Sequence, residues 1–171
     1  MNPFDVFKYC PKCGSIHFVE NDFKSKKCKD CGFVYYFNSA ASTAAFIVGK
    51  DGKLLVARRA KEPAKGTLDL PGGFVDMRET AEEAIIREVK EETGLVISSP
   101  QYLFSLPNIY IFSKLEVHTL DIYYKCEIED ITGICAGDDV SELCFLDKKD
   151  INPDEFGLMS IRQAIKYWLS I

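Results

Sequence analysis

The chain has 171 residues, enough for one main domain with a small appendage and too few for two full-sized domains. Hydrophobic residues make up 47% and charged residues 27%, values of a folded globular protein that exclude wholesale disorder. No apolar run approaches the roughly 20 residues of a membrane helix, and the first residues lack a basic and apolar leader, so we expect a cytoplasmic protein. The net charge of −5 is uneven: residues 1–39 hold six lysines and four acids, a charge of +2, which leaves −7 elsewhere.

Four of the seven cysteines form two Cys-x-x-Cys-Gly pairs near the start, Cys10 with Cys13 and Cys28 with Cys31. Each pair can aim two thiolates at one point, and four thiolates suit tetrahedral Zn²⁺. Disulfides and a redox dithiol are the alternatives; the first is disfavoured without a secretion signal, and the second needs no matching pair. Because four thiolates close the coordination shell, we predict a structural Zn²⁺ site in a small zinc ribbon over residues 1–39.

Lysines and aromatic residues are interspersed in this ribbon, a composition that nucleic-acid-binding surfaces share. We favour a plainer interpretation, in which the aromatics cover the metal site and the lysines keep the segment soluble. Nucleic acid therefore stays an alternative partner. We expect the three remaining cysteines to be small buried hydrophobes: Cys126, Cys135 and Cys144.

Alternating strand and turn signals follow the ribbon. The apolar run from Ser42 to Val48 predicts a buried strand, Asp51-Gly52 a hairpin turn, and Lys53–Arg59 the returning strand. Further strands are predicted at residues 101–106, 109–112, 117–128 and 143–146, and a closing helix at 158–169.

One internal helix carries most of the functional information. Thr80-Ala81-Glu82-Glu83 is a capping-box pattern, and Gly94 is typical of a helix C-terminus, so the sequence predicts a helix over Ala81–Thr93. At about 100° per residue its apolar side chains form a stripe that can pack on a sheet, namely Ile85, Ile86 and Val89.

Three carboxylates of this helix, from Glu88, Glu91 and Glu92, share an arc of about 100°. Like charges at this spacing repel, and Arg87 can relieve only part of the repulsion by reaching Glu91. A hard divalent cation, Mg²⁺ or Mn²⁺, would resolve the conflict and would suit a phosphate substrate. The alternative on geometry alone is a solvated acidic helix face.

The pattern Gly73-x5-Glu79-x7-Arg87-Glu88-Val89-x-Glu91-Glu92-x-Gly94-Leu95 resembles the complete signature of the Nudix hydrolases, with every specified position filled. Pro71-Gly72-Gly73 precedes it as in that family. The resemblance implies an α/β fold: a Nudix-like α/β/α sandwich with a mixed sheet over residues 40–171, preceded by the ribbon.

The resemblance also implies roles for individual residues. Glu88, Glu91 and Glu92 would bind the catalytic cation, with Arg87 orienting them, Glu79 supporting the site, and the Gly72 carbonyl as a further ligand. An acid from a later loop would complete the metal shell or act as base, and for this role Glu142 is the first choice and Asp139 the second.

A zinc ribbon joined to a Nudix domain is similar to the bacterial NADH pyrophosphatases. The similarity implies Mg²⁺-dependent hydrolysis of a diphosphate linkage in a nucleoside diphosphate derivative, such as NADH, NAD or ADP-ribose, with release of a nucleoside monophosphate. The Ser-Gln-Pro-Trp-Pro-Phe-Pro-x-Ser segment of those enzymes is matched only in part by residues 105–113, where Asn108 stands at the tryptophan position.

Other functions remain open from the sequence. The same signature fits a nucleoside triphosphate pyrophosphohydrolase, since it does not itself recognise base or sugar. Isopentenyl diphosphate isomerases share the fold, and the ribbon with an acidic domain could form a non-catalytic nucleotide-sensing or RNA-binding module. A small-molecule nucleotide is the expected partner, and apolar edge strands are compatible with a homodimer.

Overall fold

The structure is a computed structural model that describes residues 1–128 and 131–171. It divides into two compact units, the first comprising Met1–Ala40 and Ile109–His118 and the second Ala41–Asn108 and Thr119–Ile171. No helix within the described residues has the length and apolar character needed to cross a membrane.

The first unit is built around a three-stranded antiparallel sheet in the order β1-β2-β3, with strands Phe18–Asp22, Ser25–Cys28 and Val34–Tyr36. A short helix, α1 (Pro3–Val6), begins the chain. The buried Lys26 on β2 donates from Nζ to the carbonyls of Phe4 and Phe7, at 3.0 and 2.7 Å. These bonds satisfy carbonyls at the end of α1, which an isolated helix leaves without partners.

Most of a six-stranded sheet belongs to the second unit. Its order is β6-β5-β4-β8-β7, and β9 pairs antiparallel with β5. The strands are β4 (Ala40–Val48), β5 (Leu54–Arg59), β6 (Leu68–Asp69), β7 (Gln101–Phe112), β8 (Leu115–Glu127) and β9 (Val140–Leu146), and the helices are α2 (Ala81–Thr93) and α3 (Met159–Ser170). Two short 3-10 turns, Lys148–Asp150 and Pro153–Glu155, precede α3.

Apolar side chains on the two faces of the sheet make two separate hydrophobic clusters. Alternate residues of β4 divide between them, because successive strand side chains point to opposite faces: Ala44 and Phe46 join one cluster, and Ala45 and Ile47 the other. The first cluster contains Ile161, Ala164 and Ile165 of α3, and the second contains Ile85 and Val89 of α2. The unit is therefore an α/β/α sandwich, as predicted.

Two expectations need correction. Residues 101–112 form one continuous strand, not two, because β7 ends the strand order and Pro107, which lacks a donor, is tolerated in an edge strand. Of the three scattered cysteines only Cys126 is buried; Cys144 is half-buried, and Cys135 is exposed in the loop before β9. The Cys135 side chain is not needed to hold this loop in place, because backbone hydrogen bonds to α2 do so.

Candidate active site

Helix α2 begins and ends at the predicted residues. The Thr80 hydroxyl accepts from the Glu83 amide, Glu83 accepts from the Thr80 amide, and Gly94 ends the helix in the left-handed conformation at φ 72°. Beyond the helix, the backbone amides of Cys135 and Gly137 donate to the carbonyls of Thr93 and Glu92, at 2.9 and 3.0 Å. The loop before β9 is thus held against the carboxyl end of α2.

The Pro71-Gly72-Gly73 segment lies against the start of β4. The carbonyls of Pro71 and Gly73 accept from the amides of Ala45 and Thr43, each at 2.8 Å. Gly72 has φ 150°, and a Cβ there would lie 2.1 Å from the Thr43 carbonyl oxygen. A Cβ at Gly73 would lie 2.5 Å from Oε1 of Glu88. Gly72 is needed because the backbone of β4 approaches it so closely, whereas a side chain at Gly73 would displace the Glu88 carboxylate.

Arg87 gathers three of the predicted acids. Its Nε and Nη2 form a two-pronged pair with the Glu79 carboxylate, at 2.9 Å each. Its Nη1 donates to Glu88 at 2.8 Å and to Glu91 at 3.1 Å, the pairing expected from the helix spacing. A further bond from Nη2 to the Phe74 carbonyl, at 3.0 Å, fixes the guanidinium plane. The Arg87 guanidinium lowers the pKa of Glu79 to about 2.

Glu92, by contrast, is buried and has no cationic partner among the described residues. Its Oε2 accepts from the Gly72 amide at 2.9 Å. Burial raises the pKa of Glu92 to about 8, and the negative charges of Asp69, Glu88 and Asp139 act in the same direction. Burial likewise raises the pKa of Glu88, although Arg87 opposes the shift.

A buried acid that the sequence reasoning missed lies on β6. Asp69 accepts from Nη1 of Arg59 and, through Oδ1, from the Leu70 amide at 2.9 Å. Burial raises the pKa of Asp69, and Arg59 opposes the shift. The only signal in the sequence was an acid in the Leu68–Leu70 apolar run directly before Pro71. Its charge acts on Glu92, so it belongs to the same electrostatic group.

The acids proposed to complete the site occupy different surroundings. Glu142 was expected in a loop, but it lies within β9, because this strand begins at Val140 and pairs Glu142 with Arg58 on β5. Its Oε2 accepts from Nε of Arg58 at 2.9 Å. Asp139 pairs with Lys61 and raises the pKa of Glu92. Asp138 raises the pKa of Glu88. The structure therefore brings Glu79, Glu88 and Glu91 together around Arg87. The charges of Asp138 and Asp139 raise the pKa values of Glu88 and Glu92 respectively, whereas Glu142 pairs with Arg58.

The four ribbon cysteines converge in the first unit. Their Sγ atoms all lie within 4.8 Å of one another, with 3.7 Å between Cys10 and Cys31 and between Cys13 and Cys28. Tetrahedral Zn²⁺ with Zn–S bonds of about 2.3 Å has sulfur atoms about 3.8 Å apart. The cluster thus fits such an ion, and Phe18 with Phe33 packs against it.

A family model described as the NUDIX domain matches residues 38–166, well over half of the chain. The chain belongs to the NUDIX family. The match spans the acid-bearing helix, the Pro71–Gly73 segment and α3 up to residue 166. The α/β fold predicted from the sequence pattern is confirmed.

Named relatives of this Nudix chain act on nucleotides. It is 39% identical over 109 residues to an ADP-ribose pyrophosphatase of Methanocaldococcus jannaschii, covering 61% of this chain and 60% of that protein. It is 31% identical over 100 residues to an NAD-capped RNA hydrolase NudC of Vibrio atlanticus, covering 58% of this chain and 36% of that protein. The chain therefore matches only part of the length of these relatives.

Solved structures share the fold. A NUDIX hydrolase from Nitrosomonas europaea superposes with a TM-score of 0.75 at 19% identity, over 95% of this chain and 90% of that one. The NUDIX domain of Shewanella oneidensis NrtR, complexed with ADP ribose, superposes with a TM-score of 0.62 at 20% identity, over 78% and 88% of the two chains. At these identities the similarity concerns the fold alone.

The acids of this Nudix domain fit a divalent cation. Burial is the main cause of the raised pKa values of Glu88 and Glu92. Glu88 shares the single charge of Arg87 with Glu79 and Glu91, and Glu92 has no cationic partner among the described residues. A hard cation with oxygen ligands supplies further positive charge, because carboxylate oxygens are the ligands it prefers. The Gly73 backbone leaves the space beside the Glu88 carboxylate free of a side chain.

Proposed function

We propose that this Nudix domain hydrolyses the diphosphate linkage of nucleoside diphosphate derivatives of the ADP-ribose and NAD(H) type, releasing a nucleoside monophosphate. The observation that carries the proposal is the acid cluster around Arg87, joined to the buried Glu92 by the Pro71–Gly73 segment. The substrate class is supported by the relatives named ADP-ribose pyrophosphatase and NAD-capped RNA hydrolase.

In this proposal Glu88, Glu91 and Glu92 hold Mg²⁺ or Mn²⁺ through their carboxylate oxygens, and the Gly72 carbonyl is a further ligand. When bound, the cation would neutralise charge on the diphosphate oxygens and would make the attacking water more acidic. Arg87 holds Glu88 and Glu91 at fixed positions, and Glu79 holds Arg87 through its two-pronged pair. The protein thereby sets the ligand geometry before substrate binds.

The reaction requires one proton acceptor. A water oxygen forms a bond to one phosphorus, the bond from that phosphorus to the bridging oxygen breaks, and the leaving phosphate keeps the electron pair. The proton of the water passes to a carboxylate. Glu142 and Asp139 are the two candidates for this role, and each is paired with a cation, Arg58 and Lys61 respectively. We favour Asp139, because its charge also acts on Glu92. With ADP-ribose the products are AMP and ribose 5-phosphate.

We also propose that the ribbon, residues 1–39, binds a structural Zn²⁺ through Cys10, Cys13, Cys28 and Cys31, ahead of a Nudix domain over residues 40–171. The sulfur distances support the ligand set. Four thiolates leave no position for a catalytic water, so the ion stabilises the ribbon and takes no part in hydrolysis.

The test is incubation of the protein and Mg²⁺ with ADP-ribose, NADH, NAD, an NAD-capped RNA and a nucleoside triphosphate, with chromatographic identification of products. We expect AMP from ADP-ribose or NADH, and its loss in Glu91→Gln and Glu92→Gln. The variants Asp139→Asn and Glu142→Gln distinguish the two candidate bases. Pyrophosphate from the triphosphate alone would reassign the substrate, and no hydrolysis of any of these compounds would contradict the proposal.

A further inference from the structure

Immediately before the acid-bearing helix, the chain makes a tight turn from Asp76 to Glu79. The Glu79 amide donates to the Asp76 carbonyl at 3.2 Å, which closes a four-residue turn with Met77 and Arg78 at its two central positions. Arg78 has φ 71°, the left-handed region. Positive φ at the second central position is the mark of a type II turn, where glycine is the favoured residue.

Arginine is a costly choice at this position. A side chain with a Cβ is strained in the left-handed region, and arginine cannot make the short local hydrogen bonds that help asparagine or aspartate there. Within residues 1–128 and 131–171 the Arg78 side chain has neither a hydrogen bond nor an ion pair that would offset the strain. The four other arginines each face a carboxylate, namely Arg58, Arg59, Arg87 and Arg162.

The turn is also held firmly, on both sides of its exposed corner. The Asp76 amide donates to Oε2 of Glu79 at 3.0 Å, and the Val75 amide donates to the Ala41 carbonyl at 3.0 Å. Met77 and Arg78 are both exposed, and Met77 is 96% exposed. A long cationic side chain is therefore presented to solvent from a fixed backbone, which reduces the conformational freedom lost on binding a ligand.

This corner borders the acid cluster. Nη2 of Arg87 lies 4.0 Å from the Asp76 carboxylate and donates to the Phe74 carbonyl. The residues that lead into the turn are therefore close to the guanidinium that binds Glu88 and Glu91. The neighbouring Glu79 carboxylate already accepts two hydrogen bonds from Arg87. Arg78 is therefore available to bind an anion from outside the protein.

We propose that Arg78 is a substrate-binding residue whose guanidinium binds phosphate oxygens of the nucleotide diphosphate group. The inference rests on the proposed function, since the phosphate ligand is the substrate of that site. A guanidinium matches phosphate geometry with two parallel donors, so the residue suits this anion better than lysine does. Strain at the turn is retained because the side chain acts in binding, a usual reason for such conformations near functional sites.

The test compares Arg78→Gly, Arg78→Lys and Arg78→Gln with Lys90→Gln. Lys90 is an exposed cation on α2, on the face opposite the three glutamates, so its variant removes one charge without altering the turn that contains Arg78. Thermal unfolding and calorimetric binding of α,β-methylene-ADP with Mg²⁺ are measured for each protein. The methylene bridge prevents hydrolysis, so binding is observed whether or not the chain is active.

We expect Arg78→Gly to raise the unfolding midpoint by about 2–4 °C, since glycine relieves the strain. The same variant should weaken binding of the probe about tenfold or more, the loss of a charge-assisted hydrogen bond. Arg78→Gln should weaken binding as much with no gain in stability, Arg78→Lys should retain part of the affinity, and Lys90→Gln should bind as the wild type does.

Unchanged affinity in Arg78→Gly, or a lowered unfolding midpoint, would overturn the inference, because the side chain would then be dispensable or structural. A wild-type protein that binds the probe but hydrolyses none of the compounds would contradict only the proposed function. A wild-type protein that binds no probe and is inactive would contradict both.

Discussion

Replacement of Arg87 tests the organisation of the acid cluster. Its guanidinium makes five hydrogen bonds, and its side chain is 28% exposed while those of Glu79 and Glu88 are 15% and 13% exposed. Removing one partner of a buried ion pair costs about 3–5 kcal/mol, and the partial exposure of Arg87 places Arg87→Ala near the lower end, at about 3 kcal/mol. For a chain of this size the unfolding midpoint should fall by about 6–12 °C.

Activity should respond differently from stability. A lysine keeps the charge but cannot hold three carboxylates in one plane, so Arg87→Lys should lose less stability than Arg87→Ala. Misplacement of Glu88 and Glu91 by about 1 Å should nevertheless lower kcat/KM for the best substrate about 100-fold. The assay is release of AMP together with thermal unfolding monitored by circular dichroism.

Arg162→Lys is the matched control. Its Nε and Nη2 donate to the Phe156 carbonyl at 3.1 and 3.0 Å, and it belongs to α3, on the other face of the sheet from α2. We expect a small loss of stability and unchanged kcat/KM. Wild-type kcat/KM in Arg87→Lys would refute the view that the guanidinium fork positions the glutamates.

Three further outcomes follow from the same structure. The pKa of Glu79 is about 2 in the folded protein and 4.5 ordinarily. The stabilisation from its pairing with Arg87 is therefore complete above pH 4.5 and is lost as the pH falls towards 2. In urea titrations, the free energy of unfolding of Glu79→Gln should depend less on pH between these values than that of the wild type. Gly72→Ala should lower the free energy of unfolding by about 3 kcal/mol through its clash with Thr43, whereas Gly52→Ala, at φ 78° with open space around it, should cost about 1 kcal/mol. Cys28→Ser should release Zn²⁺ detected by elemental analysis and unfold the ribbon, while hydrolysis by any remaining folded Nudix domain should persist.

The helix α2 was predictable to the residue because its signals are local. Thr80 and Glu83 are three residues apart, Gly94 directly follows the last turn, and the Arg87 to Glu91 pair spans one helical turn. Side-chain positions on a helix follow from its period, so the shared face of the three glutamates could be deduced without tertiary information.

The surroundings of the later acids could not be deduced in this way. Glu142 meets Arg58 only because β5 and β9 pair in one register, which joins residues 84 positions apart. Asp69 becomes part of the acid group because β6 lies beside β5 and places it near Glu92. Such contacts depend on which strands pair and in which register, and the local sequence pattern does not reveal either. A cytoplasmic location and a homodimer remain predictions from the sequence.

The most direct measurement is the rate of AMP release from ADP-ribose as a function of Mg²⁺ concentration, for the wild type and Glu92→Gln. The substitution preserves the shape of the buried side chain but removes the carboxylate that can ionise to bind the cation. We predict no hydrolysis in metal-depleted buffer, recovery on addition of Mg²⁺, and in Glu92→Gln a much lower rate that requires more Mg²⁺. Hydrolysis that persists without a divalent cation, or an identical Mg²⁺ dependence in the two proteins, would contradict the account.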